Sequence, residues 1–106
     1  NFLASAKQIL TSVEEEIPYF FELSQNYPNP FNPTTKISYS IKEEDFVKIN
    51  IYNTLGEEIA VLVNELQKRG KYFITFTAQN ISSGLYFYRI QVGNSYKAVK
   101  KMVLLK

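Results

Sequence analysis

Between Tyr27 and Pro33 the chain places three of its four prolines within six residues, and an alternating run begins at Lys36. Proline fixes φ, has no backbone N–H and holds the residue before it extended. Pro28, Pro30 and Pro33 therefore impose a stiff, non-helical segment with no main-chain donor at those positions. A segment of this kind lies over a sheet or crosses its edge.

From Lys36 onward the hydrophobic period is two, and short runs are separated by Gly, Asn, Ser and charged clusters, the pattern of an all-β sandwich. Lys36 to Ile41 sets Ile37, Tyr39 and Ile41 against Lys36, Ser38 and Ser40. Val47 to Asn53 does the same with Val47, Ile49 and Ile51, before a turn at Asn53-Thr54-Leu55-Gly56. Glu58 to Asn64 places Ile59, Val61 and Val63 on one face, and Gln67-Lys68-Arg69-Gly70 turns into Lys71 to Thr77, with Tyr72, Ile74 and Phe76 in phase. Gly84 launches Leu85 to Val92, which is apolar on both faces and so belongs inside a sheet.

Gly93-Asn94 predicts a two-residue hairpin into Ser95 to Leu105. Alternation slips there near Lys100-Lys101, which predicts a β-bulge. With the strand-like stretch at Phe20 to Leu23, the count is seven. The expected fold is an all-β, immunoglobulin-like, seven-stranded antiparallel β-sandwich, with a small barrel as the alternative.

Residues 1 to 16 differ in character. Phe2, Ala6, Ile9 and Val13 have the spacing of a short amphipathic helix, but Glu14-Glu15-Glu16 would oppose the macrodipole at its carboxyl end. A weakly ordered linker or the tail of an upstream domain is the competing expectation, giving a division into residues 1–20 and a domain over 21–106.

Composition narrows the chemistry. A chain of 106 residues supports one core, and with no cysteine there is neither disulfide bracing nor a thiolate site. Histidine is also absent, which removes the commonest general base and transition-metal ligand. Glu43-Glu44-Asp45 lacks the alternating spacing and the glycine of a calcium loop, and reads as a solvated connection. Ser82-Ser83-Gly84 has no partner base, so no catalytic residue, cofactor or metal is expected.

No apolar run approaches the roughly 20 residues of a membrane span, and residues 1 to 20 lack the pattern of a signal peptide. Membrane insertion is not expected, and any export signal is expected upstream of Asn1. All ten acids lie between Glu14 and Glu65, leaving eight basic residues unopposed from 66 to 106. That charge suits exposed strand faces and edge protection, and with no nucleic-acid-binding signature beside it, no nucleic-acid partner is expected. The eight Tyr and eight Phe leave open a carbohydrate-binding or adhesive module, although most fall at core-facing positions.

Five segments in order carry a family resemblance. They are Leu23-Ser24-Gln25-Asn26-Tyr27-Pro28-Asn29-Pro30-Phe31-Asn32-Pro33, Ile51-Tyr52-Asn53-Thr54-Leu55-Gly56-Glu57-Glu58-Ile59, Leu62-Val63-Asn64-Glu65, Ser83-Gly84-Leu85-Tyr86-Phe87-Tyr88-Arg89, and Lys100-Lys101-Met102-Val103-Leu104-Leu105-Lys106. Together they resemble the type A carboxyl-terminal sorting domain of proteins exported by the type IX (Por) secretion system. The resemblance spans about Phe21 to Lys106 and implies an immunoglobulin-like, non-catalytic secretion signal found in the Bacteroidetes and neighbouring phyla. It also implies an attached upstream cargo, recognition by components of the outer-membrane type IX translocon, removal by a sortase-like surface protease, and delivery through the periplasm to the cell surface or medium. Carried over by position, the recognition residues are Asn29, Pro30, Phe31, Asn32 and Pro33 in the proline loop, with Gly84, Tyr86, Lys100, Lys101, Val103, Leu104 and Lys106 near the end. The final lysines are expected to leave an accessible positive edge whose backbone can pair with a receptor.

Overall fold

A computed structural model describes residues 19–106, so the alternatives for residues 1 to 16 lie outside the described residues. Seven strands follow one another: β1 (Glu22–Leu23), β2 (Thr34–Ile41), β3 (Asp45–Tyr52), β4 (Glu58–Gln67), β5 (Gly70–Thr77), β6 (Gly84–Val92) and β7 (Tyr96–Leu104). They form two antiparallel sheets, ordered β1-β2-β5 and β4-β3-β6-β7, and no helix occurs among the described residues. This is the expected immunoglobulin-like sandwich.

The alternation of the sequence becomes the core. Ile37, Tyr39 and Ile41 of β2, Val47, Ile49 and Ile51 of β3, and Tyr86, Tyr88, Ile90 and Val92 of β6 are all buried, joined by Met102 and Leu104 of β7. Each aliphatic residue removed from water in this way contributes about 1.5–3 kcal/mol, against the entropy of ordering it. β6 lies between β3 and β7, as its two apolar faces require. Gly56 closes the β3–β4 turn at φ +82°, a conformation that favours glycine.

Three local expectations are corrected. The bulges lie in the β3–β4 pair, with register shifts between Ile49 and Asn50 and between Ile51 and Tyr52. The extra residues of β4 break its simple alternation, so Ile59, Ala60 and Leu62 pack against the core while Val61 is exposed. β7 contains no bulge: it pairs with β6 without a register shift from Val92↔Tyr96 to Gly84↔Leu104. Its inward phase is Tyr96, Ala98, Lys100, Met102 and Leu104, and half-buried Lys100 keeps that phase because an edge strand lets its long stem reach water.

The β6–β7 connection is a three-residue loop, Gly93-Asn94-Ser95, because Val92 pairs with Tyr96 and the Ser95 N–H donates to the Val92 carbonyl. Only Gly93 takes positive φ there, at +47°, and a Cβ at that position would collide with the Asp45 carboxylate.

Candidate functional site

The proline loop and the end of β7, the two segments most distinctive in the sequence, form one structure. β7 is an edge strand, and the loop lies along its outer side. The Phe31 N–H donates to the Val103 carbonyl at 2.9 Å, and the Leu105 N–H donates to the Phe31 carbonyl at 3.0 Å, making a parallel bridge between Phe31 and Leu104. One step earlier, the Asn29 side-chain carbonyl accepts from the Val103 N–H at 2.9 Å, and Gln25 Nε2 donates to the Lys101 carbonyl at 2.6 Å. A short segment bounded by prolines thus pairs with β7 without continuing as a strand, which covers a sheet edge without extending the sheet.

Phe31 anchors this staple. Its ring is 1% exposed and meets Phe76 edge-on with centroids 6.1 Å apart. The peptide bonds preceding Pro28, Pro30 and Pro33 are cis, and the Pro33 carbonyl accepts from the Ala78 N–H at 2.8 Å. Asn29, Pro30, Asn32 and Pro33 remain exposed around the buried ring.

A second set of bonds fixes the approach to the loop. The Tyr88 hydroxyl, on a fully buried side chain, donates to the Ser24 carbonyl at 2.6 Å and accepts from the Asn26 N–H at 2.9 Å. Burial pushes this hydroxyl up to about 12, with the Asn26 N–H acting in the opposite direction. Buried Asn26 also donates through Nδ2 to Thr35 Oγ1 at 2.9 Å and to the Pro28 carbonyl at 3.1 Å, and Thr35 Oγ1 donates to the same carbonyl at 2.8 Å. Satisfied on all sides, this polar cluster holds the lead-in in one path.

The remaining expected site residues surround the staple. Gly84 opposes Leu104, and Tyr86 opposes Met102. Tyr86 buries its ring and donates its hydroxyl to the Ser82 carbonyl, four residues upstream, at 2.6 Å, an arrangement similar to the tyrosine corner of immunoglobulin-type sandwiches. Leu104 is buried, Val103 is half-buried, and Lys101 and Lys106 are exposed. The Lys106 N–H donates to Ser83 Oγ at 2.9 Å, tying the terminal backbone to the β5–β6 loop.

The structure therefore brings Asn29 and Phe31 into contact with the last strand and leaves the charged ends of Lys101 and Lys106 outside. It also corrects the expectation of a free backbone at the end of β7, because both polar groups of Val103 and the N–H of Leu105 are already paired. Gln25, Asn26, Thr35 and Tyr88 are further residues of the site, outside those expected from the sequence. The polar run Ser24-Gln25-Asn26 immediately before the prolines was the available signal for the first two.

The family model of the secretion system C-terminal sorting domain matches residues 25–105. The chain belongs to this family. The match begins at Gln25 and ends at Leu105, so it includes both sides of the staple described above. No curated protein and no solved structure matches this sorting domain. Two of its exposed rings lie in different sheets: Phe73, on β5, has the Lys36 ammonium 4.3 Å over its face, while Phe46 lies on β3.

Proposed function

We propose that this sorting domain directs an attached upstream cargo through the outer-membrane type IX translocon to the cell surface or medium, and that it is read as a folded patch. The supporting observation is the staple: the proline loop and the terminal strand are held together by main-chain and Asn29 side-chain bonds, so neither is an independent linear address. In this reading Asn29, Pro30, Asn32 and Pro33 form one rim of the patch. Lys100, Lys101 and Lys106 supply positive charge on the other, and Phe31, Gly84, Tyr86, Val103 and Leu104 hold the two in place. The domain performs no catalysis itself. A sortase-like surface protease acts on the exported protein upstream of β1, because from Leu23 to Asn26 the chain is already tied into the folded core.

The test is export of residues 1–106 fused behind a periplasm-directed fluorescent reporter, in a host with a working type IX system and in an isogenic host whose translocon is inactive. Extracellular reporter in the first host alone is the expected result. Retention in both, while the working host exports its own cargo, overturns the proposal.

A further inference from the structure

The outer side of β7 is only partly covered. Val103 uses both its N–H and its carbonyl to bond the proline loop, so the odd-numbered residues of this strand direct their backbone groups away from β6. By the same alternation Lys97 and Val99 present an N–H and a carbonyl each along that edge, and Lys101 presents its N–H. None of these five groups has a hydrogen-bond partner among the described residues. From Tyr96 to Lys101 the strand pairs regularly with β6 and contains neither proline nor bulge; Phe21 stacks on the Tyr96 ring at its start, and the backbone from Lys97 to Lys101 leaves roughly 15 Å of template unpaired among the described residues.

The side chains around this edge define what fits it. Lys97, Val99 and Lys101 share the outer face, Val99 is 58% exposed, and its direct neighbour on β6 is Arg89. The Arg89 guanidinium lies 5.6 Å over the Tyr52 ring, and its buried Nε has no partner. Neither β6 nor β7 contains a carboxylate, so three cations surround one exposed apolar residue. A second copy is a poor occupant: antiparallel pairing centred on Val99 would set Lys97 against Lys101 of the other chain, and like charges directly opposite destabilise a strand pair. An acidic strand meets the opposite condition.

Resting on the sorting function proposed above, we propose that the Lys97–Lys101 edge of β7 accepts an added strand from a protein of the secretion machinery. The incoming segment is extended, with carboxylates flanking an apolar residue that packs on Val99. Main-chain bonds supply the affinity, and the lysines, with Arg89, select the partner. The proline loop marks the downstream limit of the edge, since the backbone of Val103 is already occupied.

Val99→Pro tests this directly, because it removes an N–H that makes no internal bond and so leaves the β6–β7 ladder in place. In the full-chain reporter fusion, export is expected to fall about tenfold for Val99→Pro and by less for Val99→Ala, which keeps the donor. The Lys97→Glu, Lys101→Glu double variant is expected to lose export to a similar degree. Thr75→Pro, on the free edge of β5, is expected to export like the parent; the Ala78 N–H bond to Pro33 fixes the alternation that points Thr75 outward.

A Val99→Pro fusion that melts like the parent and exports like it overturns the proposal. Should Val99→Pro fail to fold, the double variant decides on exposed side chains alone, and parental export by it is equally fatal. Absence of export by the parent itself, beside normal native secretion, refutes the sorting function instead of the edge. A concentration-dependent dimer of the parent that Val99→Pro abolishes gives the edge to a second copy and also refutes the proposal.

Discussion

β4 and β7 flank the same four-stranded sheet, yet β4 is interrupted by two register shifts while β7 runs in unbroken pairing with β6. Both are exposed to the same hazard, since an edge strand offers its unpaired backbone to any passing chain. In β4 the ladder itself is distorted, and an apolar residue, Val61, is turned out to water. β7 keeps a regular ladder and is instead covered over its last residues by a segment from the other end of the fold. A bulged edge is closed to regular pairing wherever it bulges, whereas a stapled edge stays available wherever the staple stops.

Breaking the staple at its anchor has the largest expected effect. Phe31→Ala removes a ring that is 1% exposed and should lower unfolding stability by about 3–5 kcal/mol in urea titration. A loss below about 1 kcal/mol would mean that the loop contributes little to holding β7.

Tyr88→Phe keeps the ring and removes the hydroxyl that joins Ser24 to Asn26, so about 1–3 kcal/mol should be lost from the two stranded backbone groups. The same residue carries a pH signature. Its hydroxyl ionises near 10.0 in the unfolded chain and near 12 in the fold, so the unfolded state releases its proton first. The stability it contributes is complete below pH 10.0 and is lost as pH rises towards about 12. Urea midpoints across that range should fall less steeply in Tyr88→Phe than in the parent.

Gly93→Ala should cost about 1–2 kcal/mol through its left-handed backbone, with the Asp45 carboxylate displaced as well. Thermal unfolding would measure the loss. Asn29→Ala should cost about 0.5–1.5 kcal/mol, because it deprives one edge amide of its acceptor, and faster hydrogen exchange at Val103 is the direct readout.

Val61→Lys on β4 should change stability by no more than about 0.5 kcal/mol, since the bulge has already placed that position in water. A loss of several kcal/mol there would restore the simple alternation and remove the contrast between the two edges.

Where a strand keeps period two, its sequence was a sufficient guide. Ile37, Tyr39 and Ile41, and likewise Val47, Ile49 and Ile51, occupy the core positions that their alternation indicates. β4 misleads because a bulge is a relation between two strands: nothing in Ile59-Ala60-Val61-Leu62-Val63 states which residues β3 will skip. β7 misleads differently. A lysine in the apolar phase suggested a slip, but the strand's place at the sheet edge, which is a property of topology, lets Lys100 keep its phase. Both halves of the staple were marked by composition, and only their contact was hidden. The buried roles of Asn26 and Tyr88 depend on the same long-range meeting and have no local signature.

Asn29 and Val103 are 74 positions apart, and the bond between them belongs to the set that secures the loop. A ribosome delivers the prolines well before their partners on β7, so Phe31 must wait through the synthesis of five intervening strands before the edge it pairs with exists. Contacts of such separation are slow to form and close late. The patch therefore exists only in chains that reach β7's last residues: a chain broken off before residue 103 can carry every proline of the loop and still have nothing for it to grip.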